Sequence, residues 1–164
     1  MKKLNIDIEE LVQSFVFDKE EYGKEYLDTI TGEIINIPND VNLVIEGNME
    51  EKELSDWEKE LLTDARVVKT DIDKRYICIP TIPSDYFQES MADFTDKAVL
   101  DEKISTNLKD SLKTDFPMRE FKNVLHNYSD ELEKWYLYED ERIERYVIEW
   151  LMENEIKLDC QYKN

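Results

Sequence analysis

Apolar residues recur along this chain at a period near 3.6 in most segments and at two in a few, which predicts helices interrupted by short strands. Ile8, Leu11, Val12 and Phe15 fall at i, i+3, i+4 and i+7 behind Asp7, with Glu10 three residues on, the pattern of a short capped amphipathic helix. Tyr26-Leu27-Asp28 and Glu33-Ile34-Ile35-Asn36-Ile37 flank Thr29-Ile30-Thr31-Gly32, where Gly32 can supply the positive φ of a tight β-hairpin. Pro38-Asn39-Asp40 ends the hairpin, and Val41-Asn42-Leu43-Val44-Ile45 predicts a further strand before Gly47. Residues 48–64 read as helical at their centre, with Ser55 and Glu58 as a capping box and Trp57 and Leu61 on one apolar face. Arg66-Val67-Val68 and Tyr76-Ile77-Cys78-Ile79 read as strands around a polar turn, Thr70–Lys74.

In the second half, Pro80 and Pro83 close that segment and Ser84 caps a helix carrying Phe87, Met91 and Phe94. Leu100, Ile104, Leu108 and Leu112 repeat every four residues and predict the next helix. Pro117 suits a first helical position, opening a helix with Met118, Phe121 and Leu125 on one side. From Ser129 a helical stretch carries Leu132, Trp135, Tyr136, Ile143, Val147, Trp150 and Leu151, and Glu139-Asp140-Glu141 leaves one helix or two open over 130–154. Ile156, Leu158, Cys160 and Tyr162 alternate with polar residues as a terminal strand returning to the N-terminal sheet. The sum is an α+β fold: residues 1–164 as a single domain, with a small, mostly antiparallel sheet of hairpin, central strands and C-terminal strand packed against several helices.

Composition changes the picture through charge. Forty acids against 21 bases in 164 residues give a formal charge of −19. The excess is spread along the chain, with net charges of −8 over residues 1–50, −5 over 51–100 and −6 over the remainder. Acids are interleaved with apolar residues throughout, so they coat a folded body and do not form a disordered tail. Such a surface repels nucleic acid and anionic membranes and attracts basic partners. Sixteen Lys and only three Ala do not fit a halophilic surface. The N-terminus runs from Met1-Lys2-Lys3 straight into polar residues without the apolar region of a signal peptide, and no stretch reaches the roughly 18 apolar residues of a membrane helix. A cytoplasmic protein is expected, with Cys78 and Cys160 as buried free thiols.

Three blocks resemble the bacterial family UPF0158. Tyr26-Leu27-Asp28-Thr29-Ile30-Thr31-Gly32-Glu33-Ile34 is similar to its YLDxxTGEV hairpin. Arg75-Tyr76-Ile77-Cys78-Ile79-Pro80 with Tyr86, Met91 and Phe94 resembles its central strand and helix. Arg119, Phe121, Lys122, Trp135-Tyr136 and Trp150-Leu151 resemble its C-terminal half. Two departures stand out: residues 47–74 form a longer connector than the family's, and Phe116-Pro117 replaces a common Gly-Ala-Phe element. The resemblance implies one bacterial cytosolic domain and no activity, because that family is itself uncharacterised.

Motifs for chemistry are scarce. His126, the one histidine, sits near a helix C-terminus, where the dipole favours a cation. No GxSxG elbow offers a serine nucleophile, and a dyad of His126 with Cys78 or Cys160 is disfavoured because apolar strand positions suppress thiol reactivity. One His and two isolated Cys cannot complete a zinc site without carboxylates. With Gly23, Gly32 and Gly47 as the only glycines, no phosphate-cradling loop can be written. Asp71-Ile72-Asp73 lacks the rest of a calcium loop, and Asp101-Glu102-Lys103 lacks the strand context and basic approach of a nuclease. No catalytic residue, cofactor or metal ligand is assigned.

The run Trp135-Tyr136-Leu137-Tyr138 exceeds what one helix face can bury: 135 and 138 share a side and 136 points elsewhere. Exposed aromatic surface beside the acids suits an Arg- or Lys-rich protein. The expected function is therefore non-enzymatic binding of another protein through Trp135, Tyr136, Tyr138, Glu139, Asp140 and Glu141, with no direct nucleic-acid or membrane contact. Two alternatives are a nucleic-acid mimic occupying the site of a basic DNA- or RNA-binding protein, and a carboxylate–Mg²⁺ or Mn²⁺ enzyme. Self-repulsion of the surface is screened over roughly 8–10 Å at ~0.1–0.15 M salt. The melting temperature should accordingly rise from low to moderate NaCl or with Mg²⁺, and a steady fall in a thermal-shift series would contradict a charge-coated body.

Overall fold

The computed structural model describes residues 1–159. Their elements are β1 (Lys2–Leu4), α1 (Ile8–Val16), β2 (Gly23–Asp28), β3 (Ile34–Pro38), α2 (Asn39–Ile45), a 3₁₀ turn (Glu51–Glu53), α3 (Asp56–Glu60) and α4 (Leu62–Lys69). There follow β4 (Tyr76–Cys78), α5 (Ser84–Lys97), α6 (Glu102–Ser111), α7 (Pro117–Leu125), α8 (Ser129–Glu153) and β5 (Ile156–Leu158). The class is α+β. Contacts divide the chain into two compact units, Met1–Thr81 with the segment from Glu149 onward, and Ile82–Ile148.

The first unit holds both sheets. β3, β2 and β4 form an antiparallel sheet in that order, with Tyr26 opposite Ile35 on one side and Cys78 on the other. The C-terminal strand returns to the N-terminus as predicted, but it pairs with β1 in a separate two-stranded parallel sheet, Lys2 opposite Ile156 and Leu4 opposite Leu158. β1 was not foreseen, because Lys2-Lys3-Leu4 is too short to show a period. At the hairpin, Gly32 adopts φ +79°, and a Cβ there would collide with the carbonyl oxygen of Asn5. Glycine is needed both for the turn and for that close approach.

Two predicted strands are helices. Val41–Ile45 lies in α2 and Arg66-Val67-Val68 in α4. Both are short β-branched runs whose local preference is overridden by packing. Val41, Val44 and Ile45 recur at helical spacing, as do Leu62, Ala65 and Val68, and together they build a core with Ile37 and Leu54 over one sheet face. The capping box forms as read, Glu58 accepting from the Ser55 amide at 3.1 Å, but Trp57 turns outward and only Leu61 joins the core. Residues 47–74 fold as the 3₁₀ turn, α3 and α4. Cys78 is an exposed free thiol, since it ends the edge strand β4. Cys160 and Tyr162 lie outside the described residues.

The second unit is helical. Met91, Phe94, Val99, Leu108, Phe121, Leu125 and Trp135 form its core. The Trp135 ring sits 5.3 Å from Phe94 and 5.1 Å from Phe121, both edge-on, the geometry aromatic quadrupoles favour. Pro117 takes the first position of α7, and Ser84 begins α5, whose cap is Pro83. Leu100 falls outside α6 and is 88% exposed, because Asp101 caps that helix by accepting from the Ile104 amide at 3.0 Å. The acidic triplet 139–141 does not interrupt α8, which runs unbroken. Glutamate is a good helix former, and Trp135, Tyr138, Ile143 and Val147 keep one face buried or partly buried across it.

Candidate functional site

α8 carries nine acids against three bases, a net −6 of the chain's −19. Its segment 135–141 separates by helical phase. Trp135 is fully buried and offers no surface, while Tyr138 and Glu139 are half-buried beside it. Tyr136 and Leu137 turn outward, 50% and 64% exposed, with Asp140 and Glu141 exposed one turn on. Of the six predicted contact residues, the structure therefore places Tyr136, Asp140 and Glu141 on one solvent face, and Leu137 joins them. Trp135 acts as the anchor that fixes how this face is presented. Burial raises the carboxyl pKa of Glu139, opposed by the charge of Lys122 and reinforced by Asp140.

Another arrangement lies on the first unit, where no local pattern signalled it. Lys24 and Tyr26 alternate onto the sheet face over which α2 and α4 pack. With Tyr76, Val68, Lys69 and Lys74 they border an open cleft of about 540 Å³. Lys19 is a further missed group. It is 8% exposed, and its ammonium donates to the carbonyls of Ile79 at 3.1 Å and Pro80 at 3.0 Å, fastening the loop before β2 to the end of β4. Burial lowers its pKa, with Glu25 and Cys78 opposing. His126 stands at the C-cap of α7, the position read from sequence. Among the described residues no group of three or more His, Cys, Asp or Glu is arranged to hold a metal, and no helix is long and apolar enough to cross a membrane.

The sequence matches the model of a family described as "Uncharacterised protein family (UPF0158)" over residues 1–162. The chain belongs to UPF0158. It is 26% identical over 157 residues to UPF0158 protein PA5073 of Pseudomonas aeruginosa, a match covering 96% of this chain and 88% of that protein. No solved structure matches it. The hairpin block that resembles UPF0158 proteins has a structural task here. Asp28 accepts from the Ile30 amide at 2.9 Å and binds the Arg75 guanidinium, so the block closes the sheet.

Glu139 gives this site a pH signature. A carboxyl whose folded pKa is raised contributes its stability fully below the ordinary glutamate value of about 4.3 and loses it as pH rises through the folded value. Glu139→Gln should therefore raise the urea midpoint at pH 7, and the gain should vanish near pH 4. An unchanged or lowered midpoint at pH 7 would contradict the assigned burial.

Proposed function

We propose that this protein acts in the bacterial cytoplasm by binding a basic protein through the outer face of α8, without catalysing a reaction. The observation that carries this reading is Tyr136 and Leu137 standing exposed on a helix pinned from behind by a fully buried Trp135. Around them Glu133, Asp140 and Glu141 are exposed at helical neighbour positions, with Lys134 the one exposed cation beside Leu137. An aromatic and an aliphatic side chain bordered mainly by carboxylates match an arginine- or lysine-bearing surface. The guanidinium can lie over the tyrosine ring while the acids neutralise neighbouring charges. A tyrosine already fixed on a rigid helix loses little side-chain freedom on docking.

The test uses two exposed positions whose replacement leaves the core intact. Wild type and Tyr136→Ala/Leu137→Ala are immobilised and challenged with bacterial lysate at low and moderate salt. Each retained protein is then purified and its affinity measured. The proposal expects a basic partner that survives moderate salt and binds the double variant roughly tenfold or more weakly, as for the loss of an aromatic hot spot. A nucleic-acid-binding protein held only at low salt and indifferent to both substitutions would support mimicry instead. Retention of nothing that distinguishes the two proteins would overturn the reading.

A further inference from the structure

The cleft of the first unit carries a charge pattern opposite to that of the chain. Lys24 from β2, Lys69 from the last position of α4 and Lys74 from the loop before β4 all border it. Acids outnumber bases forty to twenty-one, yet none of these three amines forms an ion pair among the described residues. Lys69 gives one hydrogen bond to the carbonyl of Ile45 at 2.9 Å. Of the two bordering carboxylates, Asp71 is occupied: its oxygens accept from the amides of Arg75 at 3.1 Å and Tyr76 at 2.9 Å. Glu46 is exposed and forms no ion pair among the described residues. Unpaired amines beside low-dielectric walls focus positive potential in the cleft, where a small anion meets attraction that the outer surface lacks.

Two further features shape the site. Lys74 adopts φ 54°, a left-handed conformation that a lysine rarely takes, and the Asp71 side chain holds the loop around it. The walls are apolar and aromatic. Tyr26 and Tyr76 lie at the sheet, with Leu43 and Val68 from the covering helices. The Tyr26 phenol, protonated at neutral pH, can donate to an acceptor oxygen. A cleft of about 540 Å³ falls within the range of small-molecule sites, roughly 300–1,000 Å³.

We infer that this cleft binds a small organic anion, a phosphate or carboxylate carried on a flat apolar body. Lys24, Lys69 and Lys74 face the charged group, and the Tyr26 and Tyr76 rings pack against the body. The site is independent of the outer face of α8, and each can fail alone.

The test is an amide-resolved NMR titration of the full chain with phenyl phosphate, benzoate, inorganic phosphate and phenol. Phenyl phosphate or benzoate should shift the amides of Lys24, Tyr26, Lys74 and Tyr76 along a saturating curve, and whichever binds tighter names the anionic group. Inorganic phosphate and phenol, each half of the ligand, should bind at least about fivefold more weakly. Lys74→Gly is the informative variant, because glycine suits φ 54° and removes the amine without harming the fold. It should melt no lower than wild type and bind roughly fivefold more weakly, with Lys24→Gln showing a similar loss. The inference is overturned if neither aryl anion gives saturable shifts at these amides. It is equally overturned if Lys74→Gly and Lys24→Gln both bind as wild type does.

Discussion

Asp28 and Arg75 form the ion pair around which the first unit is organised. Asp28 is 3% exposed, and a carboxylate so enclosed is tolerated only with its charge matched and its lone pairs used. The Arg75 Nε donates to one oxygen at 2.8 Å and Nη2 to the other, while the Ile30 amide takes a further lone pair. The backbone repeats the connection. The Thr29 amide donates to the Arg75 carbonyl at 2.9 Å and the Gly32 amide to the Asp28 carbonyl at 2.8 Å. One residue at the end of β2 therefore fixes the hairpin turn and the entry to β4. The guanidinium holds the Asp28 carboxyl well below the usual carboxylate range. A depressed pKa gives stability that is complete above the ordinary aspartate value of about 3.9 and lost as acid carries the medium through the folded value.

What the sheet gains in definition it passes to the cleft. Tyr26, two residues before Asp28, and Tyr76, beside Arg75, share the sheet face that the cleft uses, with Asp28 directly opposite Tyr76. The Arg75 guanidinium also lies 5.1 Å from the centre of the Tyr76 ring. The second unit solves its own problem differently, by aromatic packing. Phe94, Phe121 and Trp135 meet edge to face, and α8 then presents its acids and Tyr136 outward. Charge on this chain is not uniform decoration. α8 carries nine acids against three bases, while Lys24, Lys69 and Lys74 border the cleft and form no ion pair among the described residues.

Much of this was legible in the residues, for reasons that can be named. α1, α7 and the hairpin carry a cap, a helix-opening proline or a turn glycine that agree with their apolar spacing, so local and tertiary preferences coincide. The split of residues 135–138 into inward Trp135 and Tyr138 and outward Tyr136 and Leu137 follows from helical phase alone. Val41–Ile45 and Arg66–Val68 misled because short segments rich in β-branched residues fit a strand as well as a buried helix turn, and only the core around Ile37 and Leu62 decides between them. Leu100 misled because its four-residue spacing to Ile104 ignored Asp101 as a cap. The amines of the cleft were invisible, since residues 24, 69 and 74 meet only through tertiary structure and no local motif joins them. The Asp28–Arg75 pair was equally hidden, although both residues lie inside blocks shared in pattern with UPF0158.

A double-mutant cycle on Asp28→Asn and Arg75→Gln, followed by urea unfolding at neutral pH, examines this organisation at its source. Asparagine keeps an acceptor for the Ile30 amide, so the cycle isolates the ion pair. The expected result is that each single variant unfolds at lower urea than wild type and the double variant is no less stable than the worse single one, with an unchanged urea slope. Strictly additive losses, or single variants as stable as wild type, would show that the sheet does not rest on this pair.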